Sequence, residues 1–142
     1  MSDKKLKYFS HTLSCFFLTA LLPLLFAGCQ KTPINGNLDG QWEVIEVTPN
    51  PPQWNGEDRL FYSFGHHVCQ LSIYGGPFTN GNLLYEDDTM TLYFPFVSSP
   101  SQQLQLKQYG IYSNPITFKV TFDSKNRMTL SNDESTVILK KF

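Results

Sequence analysis

Cysteine and histidine are scarce, three of each in 142 residues, and no Cys/His pair stands at metal-ligand spacing. That leaves no basis for a disulfide framework or a structural zinc, and no metal or cofactor is expected. An excess of one charge is also missing. Eleven basic and 12 acidic side chains give a formal net charge of −1, so no basic stripe is available for phosphates and no nucleic-acid partner is expected. Neither a Gly-x-Ser-x-Gly elbow nor a phosphate loop occurs, which removes the commonest nucleophilic and nucleotide-binding signatures. No apolar run reaches the roughly 20 residues that a spanning helix requires. What is present is aromatic: 15% of the residues, within a hydrophobic fraction of 41%. Such a composition argues for a packed core rather than disorder, and this length for a single domain.

The longest apolar stretch, Leu13 to Ala27, follows Lys4, Lys5 and Lys7. A positive segment followed by an apolar run this short reads as a signal peptide over residues 1–28, and Pro23 weakens it further as a permanent helix. Phe26-Ala27-Gly28-Cys29 then resembles the bacterial lipobox, with Phe26 where leucine is usual and Leu25 one place earlier. The resemblance implies that Cys29 carries lipid. Each buried methylene adds about 0.8 kcal/mol of membrane affinity, so several chains anchor a protein durably. The alternatives are an ordinary secretory signal with a coincidental cysteine, or a retained N-terminal helix. Gln30 after the cysteine resembles lipoproteins passed on to the outer membrane. No acidic cluster follows, unlike in surface-exported lipoproteins of the Bacteroidetes, so a periplasm-facing outer-membrane location is expected. Removing residues 1–28 takes away three lysines and Asp3, leaving 114 residues with a charge of about −3.

Residues 29–37, with Pro33, Asn35, Gly36 and Asn37, read as a polar tether. From Leu38 onward, short apolar runs recur between Gly, Asn, Asp and Ser. This spacing predicts strands near 41–47, 59–65, 68–74, 82–86, 89–96, 116–122, 127–131 and 136–142. Ile116, Phe118, Val120 and Phe122 share one face, and Thr117, Lys119 and Thr121 the other. Met90, Leu92, Phe94 and Phe96 repeat the pattern, as do Cys69, Leu71 and Ile73. Ser99-Pro100-Ser101-Gln102 matches a capping box with proline at the first helical position, and Gly110 is a natural stop, which predicts a helix over 100–109. A strand through Leu104 and Leu106 is the competing reading. The expected fold is all-β: a small eight-stranded antiparallel up-and-down barrel over 38–142 with one short helix.

Gly40-Gln41-Trp42 at the start of the first strand looks like the opening signature of the lipocalin and calycin barrels. Residues 29–142 resemble small lipocalin-like lipoproteins of Bacteroidales more specifically. The match runs through Asn37-Leu38-Asp39-Gly40-x-Trp42, Leu60-Phe61-Tyr62-Ser63-Phe64, Tyr109-Gly110-Ile111 and Lys140-Lys141-Phe142. The resemblance implies the barrel but no particular reaction. Independently of it, Gly40 permits close backbone approach and Trp42 supplies a ring large enough to plug a barrel end. In lipocalins an arginine near the C-terminus commonly packs over that tryptophan, and the nearest matches here are Lys140 and Lys141.

Residues capable of chemistry are few. His66-His67 are adjacent, so on a strand they would point to opposite faces, and a turn explains them. Glu86-Asp87-Asp88 lacks the spacing and glycine of a calcium loop and reads as a hairpin turn. Cys69 shares a face with Leu71 and Ile73 and reads as buried and inert. No catalytic residue is assigned. The aromatics remain: Phe61, Phe64, Phe94, Phe118 and Phe122 are expected to line a pocket in the barrel, or to fill it.

The function expected from these features is non-catalytic binding of a small apolar molecule or acyl chain by a membrane-tethered barrel. The rival is a solid barrel serving as a structural or interaction module. Its loop 48–58, with Pro49, Pro51, Pro52 and Trp54, would dock on another envelope protein, Trp54 being the candidate contact unless it packs over the barrel mouth. Inhibition of a periplasmic enzyme is a third option.

Overall fold

The structure is a computed structural model that describes residues 33–52 and 54–142. The signal segment 1–28, Cys29 and the first part of the expected tether lie outside the described residues. Eight strands follow in chain order: β1 (Gly40–Thr48), β2 (Leu60–Gly65), β3 (Val68–Ile73), β4 (Phe78–Glu86), β5 (Thr89–Tyr93), β6 (Ile116–Ser124), β7 (Arg127–Ser131) and β8 (Thr136–Lys141). One helix, α1 (Pro100–Lys107), lies between β5 and β6. Every strand pairs antiparallel with its neighbour in sequence, and β8 returns to β1 through pairs such as Trp42↔Lys141 and Val44↔Leu139, closing the barrel.

Period-two alternation sends one side chain in two inward. Trp42, Tyr62, Leu71, Met90, Phe118, Met128 and Leu139 are essentially inaccessible to solvent and come from seven of the strands. Burying a side chain of this kind contributes roughly 1.5–3 kcal/mol, so the filled interior is the main source of stability. The alternation slips once in β1, where a bulge between Val44 and Glu46 leaves Ile45 and Glu46 both exposed before Val47 turns inward again. An extra residue in one strand bends it without breaking the closure.

Turn chemistry accounts for the ends of the barrel. At one end lie the β2–β3, β4–β5 and β6–β7 hairpins together with the segment before β1; at the other lie the loops 49–59, 74–77, 94–115 and 132–135. Asp87 and Asp88 both have positive φ, 49° and 60°, between the paired Glu86 and Thr89, the backbone a two-residue hairpin of this hand demands. Asn132 Oδ1 accepts from the amides of Glu134 and Ser135, at 2.9 and 2.8 Å, and shapes the last loop.

Three expectations need correction. Residues 35–37 do not belong to a free tether. Asn35 is nearly buried, its amide donates to the His66 carbonyl and to Asp39 at 2.7 Å each, and a 3-10 turn over Gly36–Leu38 brings Leu38 into the core. β4 begins at Phe78 rather than 82, running through Gly81, because the Phe94 ring packs where a Cβ at Gly81 would stand, 2.6 Å away. β5 ends at Tyr93 rather than 96, ahead of Pro95. Beyond it the Asn114 side chain takes the place of a strand partner, with Oδ1 accepting from the Phe94 amide and Nδ2 donating to the Phe94 carbonyl, both at 2.9 Å. Phe96 consequently leaves the inward face and is 80% exposed.

Candidate functional site

The end of the barrel that holds the chain's entry is shut by Trp42. Its ring is fully buried, lies 6.2 Å from the half-buried Phe122 ring, and donates through Nε1 to the Leu38 carbonyl at 2.8 Å. Of the two lysines matched to the lipocalin arginine, Lys141 covers it. Its Nζ sits 4.9 Å from the Trp42 centroid and donates to the Asn37 carbonyl at 3.1 Å. Gly40 has φ +124°, and a Cβ there would stand 3.2 Å from Lys141 Cε. Glycine at this position therefore serves both an unusual backbone angle and the approach of the covering side chain.

The opposite end is covered by α1 and the segment that leaves it. Ser99 and Gln102 form a reciprocal capping box, and Pro100 occupies the first turn. The helix ends at Lys107, two residues short of the expected 109, in a Schellman-type turn: the Ile111 amide donates to the Leu106 carbonyl, the Gly110 amide to the Lys107 carbonyl, and Gly110 has φ +76°. After Gln108, the residues Tyr109 to Ile111 enter the mouth and are buried there. Tyr62 Oη donates to the Tyr109 carbonyl, and Ser135 Oγ to the Gly110 carbonyl at 2.6 Å. Burial raises the hydroxyl pKa values of Tyr62 and Tyr109 well above the usual phenol range. Both stay neutral and available as hydrogen-bond donors.

Both ends are closed, and two recesses open on the outside of the mouth plug. A groove of about 370 Å³ runs between α1 and the β3–β4 hairpin. Leu71, Ile73, Val97, Leu106 and Tyr109 contribute its apolar lining, and Phe78 and Phe96 line it with rings that are 64% and 80% exposed. Gln102 and Gln105 from α1, Gln108 just after it, and Thr79 and Asn80 from β4 complete the lining. On the other flank of α1 a second, more polar recess of about 530 Å³ is lined by Tyr93, Gln103, Lys107, Tyr112 and Asn114 among others, and shares Val97 and Leu106 with the groove.

The five phenylalanines expected to line a pocket are dispersed. Phe64, Phe94 and Phe118 lie in the core cluster, Phe94 also reaching the polar recess, and Phe122 packs against that cluster beside Trp42. Phe61 faces outward. It pairs with Glu43 and Ser72 on the outer wall, and its burial comes from Arg59, whose guanidinium lies 5.3 Å from its ring, and from Phe142 at 5.2 Å. Phe61 and Phe64 are three apart on one strand and cannot share a face. The same guanidinium packs on the Tyr74 and Phe142 rings and pairs with Glu43, holding that carboxyl below its ordinary pKa through their hydrogen bond. Trp54 is half-buried against the core, with Nε1 donating to the Asp58 carbonyl at 3.0 Å.

Cys69 is fully buried, and burial drives its thiol pKa far upward, the reverse of what a nucleophile requires. His66 and His67 form the β2–β3 turn. Among the described residues no three His, Cys, Asp or Glu side chains gather into a metal-sized cluster. The residues that sequence reasoning missed are Phe78, Phe96 and the glutamines of α1. The unusual glutamine content of residues 102–108 was the available signal.

A family model described as a lipocalin-like domain matches residues 24–142. The chain belongs to the lipocalin-like domain family. Among solved structures, a lipocalin-like protein from Bacteroides uniformis is similar over 75% of this chain and 100% of its own, with 22% identity and a TM-score of 0.54. An uncharacterized protein from Bacteroides eggerthii is similar over 74% and 99%, with 16% identity and a TM-score of 0.51. At these identities the likeness concerns the fold. A Kunitz-type serine protease inhibitor of Ophiophagus hannah is 38% identical over 66 residues, covering 46% of this chain and 77% of that protein. Kunitz scaffolds are disulfide-dense, whereas this lipocalin-like barrel keeps Cys69 free in its core, so the match does not extend to architecture.

Proposed function

We propose that this lipocalin-like protein is held on the periplasmic side of the outer membrane by lipid on Cys29 and binds, without catalysis, a small uncharged ligand with apolar faces in the groove at its mouth. The observation that carries the reading is the groove itself, with two solvent-facing phenyl rings above a barrel whose interior is already occupied by side chains. Its volume falls within the usual range for small-ligand sites. A binding role is supported by the lining, which offers amides, hydroxyls and apolar groups but no carboxylate, imidazole, thiol or amine. The interior carrier role expected for the phenylalanines is replaced by this external one.

Native mass spectrometry of the protein released from membranes tests the reading. A co-purifying small molecule that disappears in Phe96→Ala supports it; a bound mass unaffected by Phe96→Ala and Phe78→Ala rejects the groove. Anchoring is tested by Cys29→Ser, which should move the protein from the membrane to the soluble fraction, and unchanged membrane retention counts against lipidation. A second reading, a solid barrel acting as an interaction module or enzyme inhibitor, is favoured by the outer-wall cluster in which Arg59 gathers Phe61, Tyr74 and Phe142, with Tyr74 71% exposed.

A further inference from the structure

The groove separates ligand classes by what it withholds. None of its lining residues carries a charge, and the basic Lys107 lies in the recess on the other flank of α1. A fatty acid, nucleotide or acidic peptide placed there would lose hydration around its charge with no partner to compensate. The polar side chains present are primary amides and the hydroxyls of Thr79 and Tyr109. Gln102, Gln105 and Gln108 recur every third residue of α1 and its terminal turn, a spacing that lines them along one side. Each amide offers donors and an acceptor. Gln102 uses its Oε1 to accept from the Ser98 and Ser99 amides, and its Nε2 takes no part in that cap. Asn80 Oδ1 accepts from Nε2 of its cross-strand partner Gln70, so this amide is engaged at the rim of the groove.

We propose that the ligand of this groove is a neutral carbohydrate, an inference that rests on the reading of the groove as the binding site. A pyranose has hydroxyls around its edge, each a donor and an acceptor, and C–H groups on its faces. The amides suit the edge. The electron-rich faces of Phe78 and Phe96 suit the C–H groups, which present the slightly positive side to a ring quadrupole. An uncharged peptide is the competing occupant, because extended peptides are captured through a free strand edge and β4 pairs with β5 only from Asn82 onward, leaving Phe78–Gly81 without a partner on that side; the side-chain amides and exposed phenylalanines of the lining favour the sugar. An acyl chain would bury its length in an enclosed apolar channel, whereas this groove is open and edged with amides.

The test uses protein produced from the full chain on an array of immobilised glycans, neutral ones beside sialylated and sulfated ones. Retention on neutral glycans is expected, with loss in Phe78→Ala and in Phe96→Ala. Both rings are largely exposed, so the fold should survive, as circular dichroism would verify. Gln105→Ala should change which neutral glycans are retained. Absence of retention on any glycan, preference for acidic glycans, or retention unchanged in both phenylalanine variants would overturn the proposal. Two uncharged probes, 1-decanol and N-acetyltrialanine amide, followed by NMR of the glutamine side-chain amides, separate the two levels of the argument. Shifts with either probe but no glycan retention leave the groove a binding site and sink the carbohydrate assignment. No shift with either probe and no glycan retention sinks both.

Discussion

Lys141 Nζ stands 4.9 Å from the centre of the Trp42 ring and at the same time donates to the Asn37 carbonyl at 3.1 Å. One side chain from the last strand thus caps the buried tryptophan of the first and fixes the turn that precedes it. Lys141→Ala should lower stability by about 1–2 kcal/mol, combining a cation–π contact with a hydrogen bond. Lys141→Arg should retain most of it. Urea unfolding followed by Trp fluorescence provides the measurement, and equal losses in the two variants would show that the cation is not what matters.

Gly110 is held at φ +76°, and a Cβ there would fall 2.5 Å from Val137 Cγ2. Gly110→Ala therefore meets backbone strain and overpacking together, with an expected cost of about 2–4 kcal/mol. Hydrogen exchange should accelerate first over residues 109–111 and 135–137. A stability within 0.5 kcal/mol of the parent, roughly the scatter of ordinary surface substitutions, would mean that the mouth plug is loose.

The plug depends on two hydroxyl donors, Tyr62 to the Tyr109 carbonyl and Ser135 to the Gly110 carbonyl. Tyr62→Phe and Ser135→Ala each leave a buried acceptor unpaired, at about 1–3 kcal/mol. Because both bonds hold adjacent residues of one segment, the double variant should cost less than the sum. Strict additivity in denaturant titrations would argue against a single cooperative plug.

Cys69, Tyr62 and Tyr109 all have pKa values raised by burial. Their folded-state pKa values exceed the unfolded ones, so the fold's stability is complete below the ordinary thiol value of 9.0 and is lost as pH rises above it, where the unfolded chain releases protons that the folded chain keeps. The decline should approach about 1.4 kcal/mol per pH unit for each group once that group ionises in the unfolded chain. Thermal melts from pH 7 to 11 measure it. Native protein at pH 8 should also leave Cys69 unlabelled by a thiol reagent that reacts promptly in urea.

Most of the barrel was legible because alternation and turn residues are local properties. Gly-x-Trp, the capping box and Gly110 each announced a structural role that needs only neighbouring residues to explain it. The misplacements arose where a distant part of the chain overrode the local signal. Gly81 reads as a break until the Phe94 ring fills the space above it, and Phe96 reads as the end of a strand until Pro95 and Asn114 remove it. Strand parity already separates Phe61 from Phe64, but only the distant Phe142 shows that Phe61 is covered from outside. The groove was hidden for the same reason, since Phe78 and Phe96 lie 18 positions apart and acquire a shared purpose only once α1 is laid across the mouth.

The pairing of Trp42 with Lys141 joins positions 99 apart in sequence. A chain emerging amino-terminus first would hold β1 with one flank unsatisfied until nearly all the rest had been delivered, a long wait by the measure of loop closure. During that interval the incomplete cylinder has two sticky borders rather than none. A holding chaperone would thus have its greatest value to this protein just before the final strand arrives.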